Sequence, residues 1–265
     1  MALLEINYYS ETLEMEQSMA VILPELSDNN PDWTLEDLTD IPVLYLLHGM
    51  GGNHSTWTRR TSIERYVRNT KIAIVMPSTD LAWYTNTTYG LNYFDALAIE
   101  LPKKIKQLFP QISTKVEKNF VAGLSMGGYG AWKFAFGTES FSHAASLSGG
   151  LVFSKEVAFT LGSETYWKGI FGDLENVEQS SNNLINAARL RLKGGTKPKL
   201  YAWCGQEDFL FEASNLAVEQ IRQLGYDIDY EVGHGKHEWY YWDKMIERVL
   251  EWLPIDYQQE ERLQS

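Results

Sequence analysis

Short, uninterrupted apolar runs recur along this chain, and each has the length of a β-strand. They are IPVLYLLHG at 41–49, KIAIVMP at 71–77, NFVAG at 119–123, HAASLSG at 143–149 and KPKLYAWCG at 197–205. Three further segments, at 4–9, 15–23 and 226–233, alternate roughly between apolar and polar residues, as strands also do. Because continuous apolar strands are buried on both faces, the runs predict a mostly parallel central sheet with helices on both sides.

Segments with helical spacing lie between the runs. They cover 92–109, 126–137, 182–193, 212–225 and 238–253. Strands that alternate with helices predict an α/β fold. We find no repeat, low-complexity tract or linker that would mark a second domain, so residues 1–265 are expected to form a single domain. The longest stretch without a clear pattern, 151–180, is predicted to be a lid or a binding segment.

The net charge of −12 over 265 residues argues against two classes of partner. Nucleic-acid binding requires a basic patch, and anionic membrane surfaces attract basic segments. No apolar run is long enough to span a bilayer, and the N-terminus lacks the basic region and apolar core of a signal peptide. A single cysteine, Cys204, excludes an intrachain disulfide. We therefore expect a cytoplasmic protein without nucleic-acid or membrane partners.

The run at 119–123 leads directly into a Gly-x-Ser-x-Gly sequence centred on Ser125. Such a sequence is weak evidence alone, because glycine and serine are common residues. Its position between a buried strand and a helix is what a nucleophile elbow requires, since the sharp turn exposes the serine hydroxyl at the end of the sheet. We predict that Ser125 is a nucleophile. The alternative is an ordinary glycine-rich turn without chemistry.

A serine nucleophile needs a base to accept its proton, and histidine is the usual one. In the order Ser, acid, His, only His234 and His237 lie far enough downstream. Both fall in the loop between the last predicted strand and the last predicted helix. His237 directly precedes that helix and is the predicted base. The alternative for either residue is an exposed loop histidine.

The acid that orients the base should follow an earlier strand at the same edge of the sheet. Glu207 and Asp208 both come just after the run at 197–205. One of them would hold the imidazole in the required tautomer and stabilise its charged form. The spacing does not decide between these neighbours.

Two backbone N–H groups should stabilise the negative charge that develops on the substrate oxygen. The predicted donors are Met126, directly after Ser125, and Met50, in the glycine-rich loop after the run at 41–49. His48, at the start of that loop, is expected to order it rather than to take part in the chemistry. This chemistry requires neither a metal nor a cofactor.

Four blocks spread over nearly the whole chain share the motifs of a known family. They are LLHGMGGNHSTW, AWYTNTTYGLNYFDALAIELPKKI, VAGLSMGGYGAWKFAF, and CGQEDFLF together with GHGKHEWYYW. The chain resembles the esterase D group of α/β-hydrolases, and within it the small bacterial tributyrin esterases. The group also contains S-formylglutathione hydrolases and mycolyltransferase antigens. The resemblance implies an α/β-hydrolase fold with a mostly parallel central sheet.

The resemblance also implies particular site residues. In the tributyrin esterases the acid is the Asp of a Cys-Gly-x-Glu-Asp block, which falls on Asp208 rather than Glu207. The base precedes an acidic residue and a Trp, which falls on His237, and the first oxyanion donor falls on Met50. Self-association within the group implies a homo-oligomer.

The function predicted from these residues is hydrolysis of short-chain carboxylic esters, such as acetyl and butyryl esters, through an acyl-enzyme on Ser125. Bulky aromatic residues close to the motifs are candidates to line the substrate pocket: Trp83, Tyr84, Tyr129 and Phe209. The alternative for each of them is a place in the hydrophobic core. One alternative is a thioesterase of the S-formylglutathione hydrolase kind, and another is a non-catalytic binding protein with this fold.

The motif of the early loop disfavours the thioesterase alternative. S-formylglutathione hydrolases tend to carry His-Gly-Leu-Thr-Cys, whereas this chain has His-Gly-Met-Gly-Gly at 48–52. The net charge of −12 also works against an anionic glutathione conjugate, although salt screens this effect. Short oxyesters are therefore the preferred substrates in this prediction.

Overall fold

The computed structural model describes residues 1–28, 30–152 and 162–261 and contains an eight-stranded sheet. The strands are β1 (Ala2–Ser10), β2 (Met15–Leu23), β3 (Val43–Leu47), β4 (Ala73–Pro77), β5 (Asn119–Leu124), β6 (His143–Leu147), β7 (Lys199–Gly205) and β8 (Ile228–Gly233). Their order across the sheet is β1-β2-β4-β3-β5-β6-β7-β8. Strands β3 to β8 run parallel to one another, whereas β2 pairs antiparallel with both β1 and β4 at one edge of the sheet. Every predicted strand is present.

Helices connect the strands and cover the sheet. They are α1 (Thr56–Arg60), α2 (Ile63–Val67), α3 (Leu101–Leu108), α4 (Met126–Gly137), α5 (Glu164–Phe171), α6 (Leu184–Arg191), α7 (Phe211–Gln223) and α8 (Trp239–Trp252). Short 3₁₀ turns lie at Glu36–Leu38, Val116–Lys118 and Val177–Gln179. None of the helices in the described part of the chain is long and apolar enough to cross a membrane.

The sheet has a hydrophobic core on each face, as the continuous apolar strands predict. In β3, Val43, Tyr45 and Leu47 belong to one core, and Leu44 and Leu46 belong to the other. Buried side chains of α3, α4, α5, α6 and α7 complete the first core, and those of α1, α2 and α8 complete the second. All five residues of β3 are buried, which is why this strand lacks the alternation of a half-exposed one.

The helix predicted at 92–109 changes its winding part-way. Residues Asp95–Glu100 form a π-helical segment, in which the Leu101 N–H donates to the Ala96 carbonyl, and α3 follows directly. Pro102 lies in the first turn of α3 and has no N–H to donate. The interruption of the α-helical hydrogen-bond ladder by this proline coincides with the wider turn.

The segment 151–180, the predicted lid or binding segment, has no clear pattern in the sequence, but part of it is helical. α5 lies within it, and the Ser163 hydroxyl caps this helix by accepting a hydrogen bond from the Tyr166 N–H at 3.2 Å. Residues 153–161 of the predicted lid lie outside the described residues. The short helices α1 and α2 were not predicted either.

The carboxyl ends of the parallel strands meet at one edge of the sheet. The loops that follow β3, β5, β7 and β8 therefore converge there, although they are far apart in the sequence. All residues that the sequence singles out for catalysis follow one of these four strands.

Candidate active site

Ser125 lies at the sharp turn between β5 and α4. Its φ of 52° and ψ of −118° are values that residues other than glycine rarely adopt. The turn is tight, because a Cβ placed on Gly123 would lie 2.4 Å from the backbone of Gly127. The Ser125 N–H donates to the Leu147 carbonyl of β6 at 2.9 Å, which attaches the turn to the sheet. This strand–turn–helix geometry is that of a nucleophile elbow.

Three side chains from separate loops form a hydrogen-bonded chain at this edge. Ser125 Oγ lies 3.0 Å from Nε2 of His237, and Nδ1 of His237 lies 2.9 Å from Oδ2 and 3.1 Å from Oδ1 of Asp208. A carboxylate can only accept, so Nδ1 carries the proton and Nε2 of the neutral ring accepts from the serine hydroxyl. The arrangement can pass the serine proton to the imidazole while the carboxylate stabilises the charge that results.

Asp208 is an anion held in a buried position. Its side chain is fully buried, whereas the His237 side chain is 20% exposed. Burial would raise the pKa of the Asp208 carboxyl, but hydrogen bonds from His237, the Leu210 N–H and Ser148 hold that pKa below its ordinary value. The carboxylate therefore stays ionised beside the imidazole at neutral pH.

Two aromatic rings fix the plane of the His237 imidazole. Phe209 packs at a tilt with a centroid distance of 4.6 Å, and Trp242 of α8 packs edge-on at 4.8 Å. The Trp242 indole N–H donates to the Ser148 hydroxyl at 3.1 Å, which anchors the ring. Packing and hydrogen bonding thus both restrict the orientation of the imidazole.

The neighbouring pair, Glu207 and His234, is separate from this chain of hydrogen bonds. Glu207 Oε1 lies 2.8 Å from Nδ1 of His234, and Oε2 accepts from the Gly235 N–H at 2.7 Å. The His234 side chain is 75% exposed. Of the two candidate acids and two candidate bases, the structure joins Asp208 and His237 to Ser125.

The loop after β3 is held in place around the predicted oxyanion donor Met50. His48 Nε2 accepts from the Thr79 N–H at 3.1 Å, so its Nδ1 donates to the Gly49 carbonyl at 2.7 Å. Burial lowers the pKa of His48 to about 4, so its ring is neutral. Among the described residues, none accepts a hydrogen bond from the Met50 N–H. That N–H is therefore available to a ligand.

The second predicted donor, Met126, is the first residue of α4. The N–H groups of the first helical turn have no partner within the helix. They also lie at the positive end of the helix dipole, where negative charge is stabilised. Met126 and Met50 thus each offer a backbone N–H beside the elbow.

A cavity of about 420 Å³ opens over Ser125 and His237. Its wall contains parts of the loop after β3 (residues 48–52, called the oxyanion loop below) and of α1, several aromatic rings and a few small or aliphatic residues. The lining residues are Gly49, Met50, Gly51, Gly52, Thr56, Arg59, Arg60, Trp83, Leu124, Gly150, Val152, Phe209, Leu210, Trp239 and Trp242. The volume is within the range of small-molecule sites. No group of three or more His, Cys, Asp or Glu side chains suited to a metal ion occurs in the described ranges.

The family described as "Putative esterase" matches residues 10–253. This chain belongs to that esterase family. A relative named acetyl esterase, from Caldicellulosiruptor saccharolyticus, is 31% identical over 96% of this chain and 98% of its own.

Two solved structures from Staphylococcus aureus are similar to the esterase over 95% of its chain and 98% of theirs, each at 34% identity. One is the fluorophosphonate-binding serine hydrolase FphF, with a TM-score of 0.84, and the other is an S-formylglutathione hydrolase, with a TM-score of 0.83. These relatives confirm the predicted α/β-hydrolase fold and the resemblance to the esterase D group. The protein is a carboxylic ester hydrolase, and the alternative of a non-catalytic binding protein is dropped.

Two of the four predicted pocket residues of the esterase line its cavity, and two do not. Trp83 and Phe209 are part of the wall. Tyr84 and Tyr129 are fully buried, and their hydroxyls donate to the carbonyls of His48 at 2.9 Å and Asn182 at 2.8 Å. Both rings belong to the hydrophobic core on one face of the sheet, so neither tyrosine is part of the cavity wall. The two tyrosines lie behind the cavity wall.

Sequence reasoning missed several residues of the esterase cavity. Trp239 and Trp242 lie in the family block GHGKHEWYYW and on a predicted helix but were not predicted to line the pocket, and Arg59 and Arg60 were not singled out. The arginine pair follows the family block that ends at Trp57 after one further residue, Thr58, so its nearness to the oxyanion loop was a readable signal. For the tryptophans the family block was the signal, although an aromatic residue on a helix most often belongs to the core.

A larger cavity of about 740 Å³ lies apart from the candidate catalytic residues, between α4 and α6. Lys133 lines it and is 5% exposed. Its ammonium donates to the Tyr129 hydroxyl and to Asn182 Oδ1, and neither acceptor carries a charge. The cavity contains neither Ser125 nor His237, so its size does not make it the reaction site.

Proposed function

We propose that this esterase hydrolyses short-chain carboxylic oxyesters, such as acetyl and butyryl esters, through an acyl-enzyme on Ser125. The observation that carries the proposal is the 3.0 Å contact between Ser125 Oγ and His237 Nε2 inside a cavity of about 420 Å³. A nucleophile and its base within hydrogen-bond reach, with the base oriented by a buried acid, are what acyl transfer needs.

In the proposed reaction, Ser125 Oγ attacks the ester carbonyl carbon while His237 Nε2 takes the hydroxyl proton. The N–H groups of Met50 and Met126 stabilise the oxyanion that forms. The tetrahedral intermediate collapses, and His237 gives its proton to the departing alcohol. Water then attacks the acyl-enzyme with His237 again as the base, which releases the carboxylic acid and restores Ser125. Asp208 keeps the imidazole oriented throughout.

The walls of the cavity support a short acyl chain. Trp83 is only 4% exposed and packs edge-on against Trp167 and Phe171, with centroid distances of 5.2 and 6.1 Å, so it has little room to move. Each methylene that fits adds at most about 0.8 kcal/mol of burial, and the gain ends where the chain meets a fixed ring. Reactivity should therefore rise over the first few carbons and then fall.

A thioesterase of the S-formylglutathione hydrolase kind is the second candidate. The similarity to a Staphylococcus aureus structure of that name, at 34% identity, favours it. The His-Gly-Met-Gly-Gly sequence at 48–52 still departs from the pattern of those enzymes. Oxyester hydrolysis and thioester hydrolysis share the same acyl-enzyme, so the two candidates differ in the preferred leaving group.

The test compares kcat/KM for 4-nitrophenyl acetate, butyrate, octanoate and palmitate with that for S-formylglutathione. We expect a maximum at acetate or butyrate and a lower value for the thioester. Peptide mass spectrometry after treatment with a fluorophosphonate should find the label on Ser125, and Ser125→Ala should be inactive and unlabelled. A maximum at octanoate or longer would contradict the short pocket. A clear preference for S-formylglutathione would establish the second candidate instead.

A further inference from the structure

The charged side chains at the mouth of the catalytic cavity are of one sign. Arg59 and Arg60, at the end of α1, are both exposed and both line the cavity. Among the described residues of the cavity wall there is no aspartate and no glutamate. The mouth is therefore a local basic site on a chain whose net charge is −12.

Neither arginine is neutralised by a carboxylate in the described part of the protein. Arg59 Nε donates to the Ser55 hydroxyl at 2.9 Å, and the Arg60 guanidinium lies 5.8 Å from the centroid of the Trp239 ring. The arginines that do form ion pairs with described acids are Arg65, Arg191 and Arg248. Both guanidinium groups at the mouth therefore keep N–H donors free for a ligand.

Asp243 is an acid attached close to the end of α1, but its hydrogen-bonding capacity is used elsewhere. Its carboxylate accepts from the Ser62 N–H at 2.8 Å, the Tyr66 hydroxyl at 3.0 Å and the Lys244 ammonium at 3.0 Å. It is not part of the cavity wall. The positive charge of Arg59 and Arg60 thus faces the cavity without an acidic partner there.

The position of Arg60 indicates which part of the substrate the positive charge of the two arginines would contact. Arg60 packs on Trp239, which follows the base His237 by two residues and packs edge-on against Trp242, the ring beside the imidazole. In the proposed reaction His237 donates its proton to the departing alcohol or thiol. The leaving group is therefore the part of the substrate that must lie close to this segment.

We propose that Arg59 and Arg60 form an anion-binding subsite that selects esters or thioesters whose leaving group carries an oxyanion, either a carboxylate or a phosphate. A guanidinium group offers paired N–H donors that match both kinds of oxyanion. This inference rests on the proposed acyl-enzyme function of the same cavity. The subsite would select substrates with an anionic leaving group, a property that the catalytic residues alone do not define.

The subsite reverses the expectation drawn from net charge. Screening limits the influence of exposed charges to about 8–10 Å at physiological ionic strength, so distant carboxylates act weakly on a substrate in the cavity. Two unpaired guanidinium groups at the mouth act at contact distance. A chain that is acidic as a whole can thus favour an anionic substrate.

The experiment compares esters that share an acetyl group and differ in the charge of the leaving group. The matched pair is 4-acetoxybenzoate, which is anionic, and 4-acetoxybenzamide, which is neutral and of nearly the same shape; 4-acetoxyphenyl phosphate separates a phosphate preference from a carboxylate preference. The readout is the ratio of kcat/KM for each anionic ester to that for the amide. We expect a ratio on the order of 5 in low salt, which decreases as salt is added.

The variants are Arg59→Gln, Arg60→Gln and the double variant, with Arg59→Lys and Arg60→Lys as conservative changes. The matched control is Arg68→Gln, which removes an arginine outside the cavity wall. The ratio should fall towards 1 in the double glutamine variant, be largely kept in the lysine variants, and equal the wild-type ratio in the control. Because the ratio compares two substrates on one protein, a general loss of folded enzyme does not change it.

The experiment distinguishes failure of the anion-binding subsite from failure of the proposed function. If both acetates are hydrolysed but the ratio is near 1 in wild type and in the double variant alike, the subsite is refuted and the proposed function stands. If neither acetate nor 4-nitrophenyl butyrate is hydrolysed, the proposed function itself fails. A ratio that falls equally in Arg68→Gln would also overturn the subsite, because the effect would then come from overall charge.

Discussion

Ser125 carries its hydroxyl on a backbone conformation that side chains other than glycine seldom adopt. Such a conformation costs on the order of 1–3 kcal/mol, and the surrounding structure must hold it. The Ser125 N–H bonds to the Leu147 carbonyl, and the Ser125 carbonyl accepts from the Tyr129 N–H at 3.1 Å. These hydrogen bonds hold the turn in the conformation that presents the hydroxyl to His237 Nε2 at 3.0 Å.

The two loop histidines provide a matched pair for testing the base. His237→Ala should lower kcat by about 10⁴-fold, because it removes the acceptor of the Ser125 proton. His234→Ala should change kcat only a few-fold, because His234 contacts Glu207 rather than Ser125. The measurement is the steady-state hydrolysis of 4-nitrophenyl butyrate by both variants. The opposite ranking of the variants would reject His237 as the base.

Lys133 should make the stability of the protein depend on pH. Burial lowers the pKa of its ammonium to about 7 from an ordinary value of 10.5. Between these values the unfolded chain binds more protons, so the free energy of unfolding should rise with pH from about 7 to about 10.5. Below pH 7 the buried ammonium is charged in both states, and its full cost of burial is present.

Lys133→Met should therefore stabilise the protein at pH 6, with the advantage shrinking as the pH approaches 10. Methionine has a similar length and no charge, and Asn182 Oδ1 keeps the hydrogen bond from the Thr85 hydroxyl at 2.8 Å. Urea denaturation at pH 6, 8 and 9.5 measures the difference. Lys103→Met, at an exposed position of α3, is the control and should follow the wild type. A variant destabilised equally at all three values would contradict the explanation.

At the scale of elements, the close contact between the elbow and β3 depends on glycine. A Cβ on Gly127 would lie 2.4 Å from the Leu47 carbonyl oxygen and 2.7 Å from that of His48. These atoms are backbone, so they cannot move aside as a flexible side chain would. The same backbone leads into the oxyanion loop, which links the packing of α4 to the position of Met50.

Gly127→Ala should accordingly lower the free energy of unfolding by about 1–3 kcal/mol, as overpacking of a tight contact does. It should also lower kcat, because displacement of Leu47 and His48 moves the oxyanion loop. Gly194→Ala is the matched control, since a Cβ there has no neighbour within 4 Å. Thermal unfolding and ester hydrolysis measure both effects. Equal behaviour of the two variants would show that the contact is not tight.

The elements that could be predicted from the sequence are those with a strong periodic pattern. The strand runs and α3, α7 and α8 have it, because each buries an apolar set against the sheet, whereas α4 is buried on nearly all sides and was predicted from its position after the Ser125 turn. α1 and α2 have five residues each, which is too short for helical spacing to be visible. α5 is held largely by aromatic contacts with Trp83, which no local pattern shows.

The site residues that follow the end of a strand could be predicted from the sequence. Ser125, His237 and the Glu207–Asp208 pair were placed by their position after strands, and the resemblance decided for Asp208. The sequence could not show that the rings of Tyr84 and Tyr129 lie in the core, because the direction of such a side chain depends on its tertiary contacts. The Tyr84 hydroxyl, for example, donates to the carbonyl of His48, which is distant in the sequence.

At the scale of the whole molecule, the sheet should be most stable at its centre. β5 pairs with β3 and β6 and is buried along its whole length, whereas β1 is an edge strand with alternating exposure. Hydrogen–deuterium exchange should be slowest in peptides from β5 and much faster in β1, whose outer edge has no partner strand among the described residues. Mass spectrometry of peptides over time measures this. Equally slow exchange in β1 would indicate that its edge is covered in solution.

The convergence of four loops at one edge of the sheet also makes turnover a measure of folding. In the proposed reaction centre the oxyanion donor Met50 follows β3, the nucleophile Ser125 follows β5, the acid Asp208 follows β7 and the base His237 follows β8, so an intermediate that lacks any one of these strands has an incomplete centre. Recovery of turnover after dilution from denaturant would then lag behind recovery of helical signal, because long-range strand pairing is the slow event. For this protein, a colorimetric ester assay would detect only those molecules in which the four loops have already come together.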